Sequence, residues 1–250
     1  MQHIERSVPF INIHCHKIGE KPDEIATLRP EGAETDGGPY RSWHAGREVM
    51  AVVNCNFDEP LQPLSSVGVH PWRSAEAGIS PLFIEKSVAL TAQKSTDPRV
   101  VAIGEAGLDR LRGAGPDQQR QLFEMQVEIS EQVGKPMIIH IVRFADEIAQ
   151  IRKKMRPRQA WIIHGFRGKP ALASQLMSHG FDLSFGPLFN PQSLHEAFGQ
   201  NRLWLETDEA NIDIINHYTA VAHMLGVDIE TLKAKIYERA TQLSSAFHLE

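Results

Sequence analysis

Only two cysteines, Cys15 and Cys55, occur in 250 residues. They are too few for a disulfide framework, so reduced thiols are expected. No apolar run approaches the ~20 residues that a bilayer-spanning helix needs. The first residues contain no long apolar core of a secretory leader. Excess positive charge is also missing, because the formal net charge is -5. The whole-molecule field therefore does not attract polyanions, although a local basic patch is compatible with that balance. A cytoplasmic protein with no membrane contact is the expectation. Internal repeats, low-complexity tracts and interdomain linkers are missing as well. The closing Leu249-Glu250 is open to reading as a vector remnant.

What is present is the composition of an ordinary globular protein, 42% apolar and 23% charged. The length suits one large domain or two small ones. Short apolar runs predict strands over 10–14, 50–54, 66–70, 100–104, 136–140, 160–164, 181–185 and 203–206. Several are apolar on successive residues, as in "PMIIH" and "LWLE", which is the pattern of strands buried on both faces and paired in parallel. Helical segments separate the later ones. "PDQQRQLFEMQVEISEQVG" ends at Gly134, a plausible helix stop, and "FADEIAQIRKKM" and "KPALASQLMSHG" are similar. Leu232, Ile236, Ala240, Leu243 and Phe247 form one stripe of a final amphipathic helix. Between the second and third strands, "FDEPLQPLSSVG" is too short for a helix with its turns. The expected architecture is a single α/β domain over 1–250, a (β/α)8 TIM-like barrel. Residues 20–48, with scattered Gly and Pro, read as a long loop inserted after strand one on the catalytic rim.

Polar residues gather where these strands end. His14 and His16 end the first, His70 the third, His140 the fifth and His164 the sixth; the fourth runs into Glu105 and the eighth into Asp208. In a barrel these carboxyl ends share one rim, where active sites are built. Imidazoles and carboxylates are ligands for Zn²⁺, Mn²⁺, Fe²⁺ or Ni²⁺, whereas Mg²⁺ prefers oxygen alone. His14 and His16, two apart on a strand, point to one side, and Cys15 then points to the helical layer. Four histidines and two carboxylates can hold two divalent ions with one carboxylate bridging. Taken singly, each residue has an ordinary alternative: a strand-end histidine is usually hydrogen-bonded structure, Glu105 can cap a turn, and Asp208 can cap a helix. Their joint occurrence favours the metal site. His44, His179, His195, His217 and His223 lie off the strand ends and read as solvated or structural.

Seven blocks in order, "HCH" (14–16), "VGVHPW" (67–72), "AIGEAGLD" (102–109), "GKPMIIH" (134–140), "IIHGFRG" (162–168), "GFDLSFG" (180–186) and "LWLETDE" (203–209), resemble the TatD-type metal-dependent hydrolases, commonly described as deoxyribonucleases. The resemblance implies a TIM-like barrel of the amidohydrolase kind. It implies one metal on His14, His16, Glu105 and Asp208, and a second on Glu105, His140 and His164. His70 would contact substrate or phosphate. Several residues depart from the family pattern: Asn12 and Lys17 flank the first block, Arg110 follows "GLD", Arg167 follows "HGF", and Arg143 lies three residues beyond His140 rather than two. The implied reaction is metal-assisted phosphodiester hydrolysis. Asp208 would serve as general base, His70 and Arg143 or Arg167 would neutralise a phosphoryl oxygen, and Trp72 would stack a base. For both arginines a surface salt bridge is an equal alternative, and for Trp72 core packing is the commoner fate. The substrate that the resemblance implies is DNA or another phosphoester, engaged transiently. A small-molecule amide or lactone hydrolase and a non-catalytic metal-binding protein with a lapsed site are the competing readings.

Overall fold

The computed structural model describes residues 8–16, 42–44, 47–78 and 82–248. Most of the segment 20–48, with Lys17 and Leu249-Glu250, lies outside these residues. The strands are β1 (Phe10–Cys15), β2 (Ser42–His44), β3 (Arg47–Asn56), β4 (Ser65–Gly68), β5 (Val100–Asp109), β6 (Met137–Val142), β7 (Trp161–Ile163), β8 (Phe181–Phe185) and β9 (Leu203–Leu205). Eight of them run parallel in the order β1-β3-β4-β5-β6-β7-β8-β9, each neighbour hydrogen-bonded to the next. All eight strands expected from the apolar runs form. β2 was not foreseen. It pairs antiparallel with the amino-terminal end of β3, Ser42 opposite Val49, at the end of that strand remote from the catalytic rim.

The sheet closes where β1 meets the turn after β9. Cys15 and Asp208 form a parallel bridge. The Asp208 N–H donates to the His14 carbonyl at 3.1 Å, and the His16 N–H donates to the Asp208 carbonyl at 3.3 Å. Deeper in the seam, side chains replace the missing strand pairing. The Tyr218 hydroxyl donates to the Ile11 carbonyl at 2.9 Å and accepts from its N–H at 3.2 Å. The Asn12 amide donates to the Thr207 hydroxyl at 2.9 Å and accepts from the Thr207 N–H at 3.1 Å. Buried backbone groups cannot stay unpaired cheaply, which is why the seam needs these residues.

Seven α-helices wrap the described barrel: α1 (Phe83–Ser95), α2 (Pro116–Val133), α3 (Ala145–Met155), α4 (Pro170–Ser178), α5 (Pro191–Gly199), α6 (Ile214–Leu225) and α7 (Ile229–Leu243). α2 starts on Pro116 and stops at Gly134, which adopts the left-handed conformation with φ 68°. No helix separates β3 from β4, as the short spacer requires. The final helix is shorter than its apolar stripe. It stops at Leu243, and Ser244 turns extended and caps a short 3-10 turn, Ser245–Phe247, that still buries Phe247. Among the described residues no helix is long and apolar enough to cross a membrane.

The strands carry large residues on both faces, including Trp161, Phe181, Phe185 and Trp204, all fully buried. Gly107 tolerates no side chain. A Cβ on Gly107 would lie 1.9 Å from the carbonyl oxygen of His140 on β6. Gly107→Ala should therefore push two paired strands apart. The expected cost is about 3 kcal/mol or more, which lowers Tm by roughly 10 °C. An unchanged melting curve would contradict this packing.

Candidate active site

Two strand irregularities aim the central side chains. The β5–β6 register shifts between Ile103 and Ala106, and the β1–β3 register shifts between Asn12 and Cys15. Such bulges redirect a side chain out of strict alternation. The first carries Glu105, which is 4% exposed, and the second carries His14, which is fully buried. All six strand-end residues expected to ligate metal meet around Glu105. Its Oε2 lies 3.6 Å from His14 Nε2 and 3.6 Å from His16 Nε2. Its Oε1 lies 2.8 Å from His140 Nδ1, 2.8 Å from His164 Nε2 and 3.0 Å from His70 Nε2. Asp208 Oδ1 faces His14 Nε2 at 3.6 Å and His16 Nε2 at 3.3 Å. Asp208 has φ 52°, a left-handed conformation that aspartate tolerates better than most residues.

The electrostatics follow from burial and opposed charge. Burial alone would raise the Glu105 carboxyl, but the imidazoles of His164, His140 and His70 outweigh it and hold the group well below the usual carboxylate range. Burial would lower His164; contact with Glu105 and Glu206 holds it well above the usual imidazole value instead. His14 and His16 overcome the burial of Asp208 and keep it ionised. His16 is raised, chiefly by Asp208. His70 is lowered, because burial outweighs the pull of Glu105.

These residues fit a metal cation. His14 Nε2 is buried with no hydrogen-bond partner, yet two carboxylate oxygens stand 3.6 Å away. An orphaned buried nitrogen costs ~1–3 kcal/mol, and a divalent ion between it and the two oxygens would relieve that cost. Among the described residues, four sets of three donors have ligand atoms within 4.8 Å of one another: His14, His16 and Asp208; His14, Glu105 and His164; His70, Glu105 and His140; and His164, Glu206 and Asp208. Mixed imidazole and carboxylate donors suit Zn²⁺, Mn²⁺, Fe²⁺ or Ni²⁺.

Cys15 turns away, as strand alternation requires. It packs with Val53 and Cys55, and burial pushes its thiol up to about 12. The amide of Asn12, where the family pattern has a carboxylate, is spent on the seam. Three supporting residues were not assigned roles from the sequence. Asn54 accepts from the Glu105 N–H at 2.8 Å and donates to Glu105 Oε2 at 3.4 Å. It closes the apolar run "AVVN" inside β3, a polar residue after an apolar run of the kind that marks the other site residues. Glu206 is buried and accepts from Gly165 N–H at 2.6 Å and Ser184 Oγ at 2.5 Å, behind His164. Asp109 stands behind His140. Asn54→Ala should lower metal affinity about 10–100-fold without unfolding the barrel; unaltered binding in a metal titration would argue against its part in orienting Glu105.

Around this cluster, Trp72 is 43% exposed rather than packed in the core. The Arg112 guanidinium lies 4.3 Å from its ring centroid. Arg143 and Arg167 are exposed on the loops after β6 and β7 and make no ion pair among the described residues. Arg110, by contrast, pairs with Glu147 at 2.8 Å. His217 is buried, with Nε2 2.9 Å from the Phe185 carbonyl. His179, His195 and His223 are exposed, and none of these four joins a metal-type cluster among the described residues. The side chain of His44 lies outside the described residues.

The family model described as TatD related DNase matches residues 47–244. An uncharacterized metal-dependent hydrolase, YabD of Bacillus subtilis, is 28% identical over 200 residues, covering 74% of this chain and 78% of YabD. The 3'-5' ssDNA/RNA exonuclease TatD of Erwinia tasmaniensis is 30% identical over 184 residues, covering 67% of this chain and 70% of that protein. Among solved structures, YjjV, a TatD homologue from Escherichia coli, superposes with a TM-score of 0.66 at 20% identity, covering 94% of this chain and 98% of YjjV. At that identity the likeness establishes the barrel alone. The family match, however, spans β3 to α7 and includes His70, Glu105, His140, His164 and Asp208. The chain therefore belongs to the TatD-related DNase family of metal-dependent hydrolases.

Proposed function

We propose that this protein hydrolyses phosphodiester bonds in DNA with two divalent metal ions held side by side at the carboxyl rim of the barrel. One observation carries the reading: the two oxygens of a single buried carboxylate, Glu105, face two separate sets of imidazoles. His14, His16, Glu105 and Asp208 would hold one ion; Glu105, His140 and His164 would hold the other. When bound, such ions supply charge neutralisation at a phosphoryl oxygen and water acidic enough to be deprotonated near neutral pH.

The protein's own groups do the rest. Asp208 is 31% exposed on its side chain, against 4% for Glu105, so Asp208 is the carboxylate that water and substrate can reach. It takes the proton from the attacking water and returns it to the leaving oxygen. His70 Nδ1 accepts from the Trp72 backbone N–H at 3.1 Å. Neutral His70 therefore carries its proton on Nε2, the nitrogen that faces the cluster, and donates it to a non-bridging phosphoryl oxygen. Arg143 and Arg167, free of carboxylate partners among the described residues, add positive charge for the phosphate. Trp72 presents its ring on the rim for a base to stack on.

The exonuclease name borne by the relative from Erwinia supports a nucleic-acid substrate; the engagement proposed is transient. Labelled single-stranded DNA incubated with Mn²⁺ or Mg²⁺ tests this directly. Metal-dependent shortening of the strand, abolished by EDTA, is the expected result. Intact DNA alongside turnover of small esters or amides would move the substrate to that class instead.

A further inference from the structure

Asp109 ends β5, on the same strand as Glu105. Its side chain is 3% exposed. Oδ2 faces His140 Nε2 at 3.1 Å and accepts from the Trp72 indole N–H at 2.6 Å. Oδ1 accepts from the backbone N–H groups of Leu111 at 2.7 Å and Arg112 at 3.2 Å. Three of these partners can only donate, and the fourth, His140, donates when Nε2 carries its proton. A group that only accepts satisfies all of them.

That arrangement decides which nitrogen of His140 carries the proton. A carboxyl group used as acceptor by three obligate donors is matched at its fourth contact by an N–H on His140 Nε2. Neutral His140 then turns the Nδ1 lone pair toward Glu105 Oε1 at 2.8 Å and His164 Nε2 at 3.3 Å, an arrangement of acceptor against carboxylate that a cation between them makes favourable. This is the tautomer that a cation shared with Glu105 and His164 requires. We propose that Asp109 is a positioning residue that selects the ligating tautomer of His140 and locks Trp72 on the rim beside it. The inference rests on the two-ion reading above. One carboxylate thus orders a metal ligand, the indole on which a base stacks, and the backbone of Arg112, whose guanidinium covers that indole.

Two substitutions separate this role from packing. Asp109→Asn is nearly isosteric, yet its amide NH₂ must point at an N–H whichever way it turns. Facing away from the two backbone N–H groups, the NH₂ points at His140, which relieves the contact by moving its proton to Nδ1 and so loses the lone pair aimed at the ion. The expected result is binding of the second Zn²⁺ weakened about 10–100-fold with the first Zn²⁺ retained. Asp109→Ala leaves room for a water that accepts from Nε2–H, so its loss is smaller. A role in packing alone predicts the reverse order, alanine worse than asparagine, and that order overturns the proposal. Trp72→Phe removes one donor, leaves Asp109 on His140, and should keep both Zn²⁺ ions.

Calorimetric Zn²⁺ titration reads the stoichiometry. ¹⁵N NMR of the wild-type imidazoles reads the tautomer without any substitution, so a variant that fails to fold does not spare the proposal. The proton of His140 is expected on Nε2, and a proton on Nδ1 overturns the inference. Wild-type protein that takes up no Zn²⁺ overturns the two-ion reading and this inference with it. Wild type with two ions, and an Asp109→Asn variant equal to it in affinity, overturns the inference alone.

Discussion

Asp208→Asn will slow hydrolysis of single-stranded DNA by about 10³-fold and leave the barrel folded. The fold survives because the seam uses the backbone of Asp208, not its carboxylate: N–H to His14 and carbonyl to His16. Asparagine also tolerates the left-handed backbone at this position. The chemistry does not survive. The carboxylate faces His14 and His16 and is held ionised by them. An amide has less charge to offer a cation and cannot take a proton from water. His140→Ala should abolish activity as well, through the other side of Glu105. Rates measured with saturating Mn²⁺, alongside circular dichroism and melting curves, check both. Metal-dependent hydrolysis retained in both variants would contradict the assignment.

Metal binding will weaken as pH falls, with the loss beginning above about pH 6.5, because a histidine ligand must be neutral. His16 and His164 have raised values in the metal-free protein, so they hold their protons above the ordinary imidazole range and must release them to a cation. Affinity should fall by up to about tenfold per pH unit for each proton displaced. Glu105 and Asp208 are lowered, so they stay ionised throughout and do not contribute to this loss. Stability without metal runs the other way. The lowered Glu105 stabilises the fold above its unfolded value, near 4.3, and that gain is lost as pH falls. The raised His164 stabilises it fully below about 6.5, and that gain is lost as pH rises through the folded value. The pair therefore favours the metal-free fold most between roughly pH 4.5 and 6.5, and metal should move the optimum upward. Calorimetric titration and melting curves from pH 5 to 8 check both signs. Occupancy indifferent to pH over that range would exclude histidine ligation.

The barrel was legible because its strands are buried on both faces. "PMIIH" and "LWLE" have no polar alternation, and the polar residue at the end of each such run marks the rim. The cluster was legible for the same reason: His14, His140 and Asp208 are distant in sequence but end parallel strands of one barrel. What escaped has physical causes. α1 buries Ser87, Thr91 and Ser95, a stripe of small polar residues with no apolar period. Their hydroxyls turn inward onto the carbonyls of Ile84, Ser87 and Ala92, which removes the cost of burying them. β2 is three residues long and follows no pattern. Asp109 was visible inside "AIGEAGLD", yet its role depends on a histidine from β6 and a tryptophan from the 3-10 helix Pro71–Gly78 that follows β4, and no local spacing reveals that. Alternation correctly turned Cys15 outward, even though the bulge beside it aims His14.

The central claim is that Glu105 joins two cations. Anomalous difference maps from crystals soaked in Mn²⁺ test it most directly. The account predicts two peaks, one beside His14, His16 and Asp208 and the other beside His140 and His164, each in contact with a different oxygen of Glu105. A single peak, or two peaks that do not share Glu105, would contradict it.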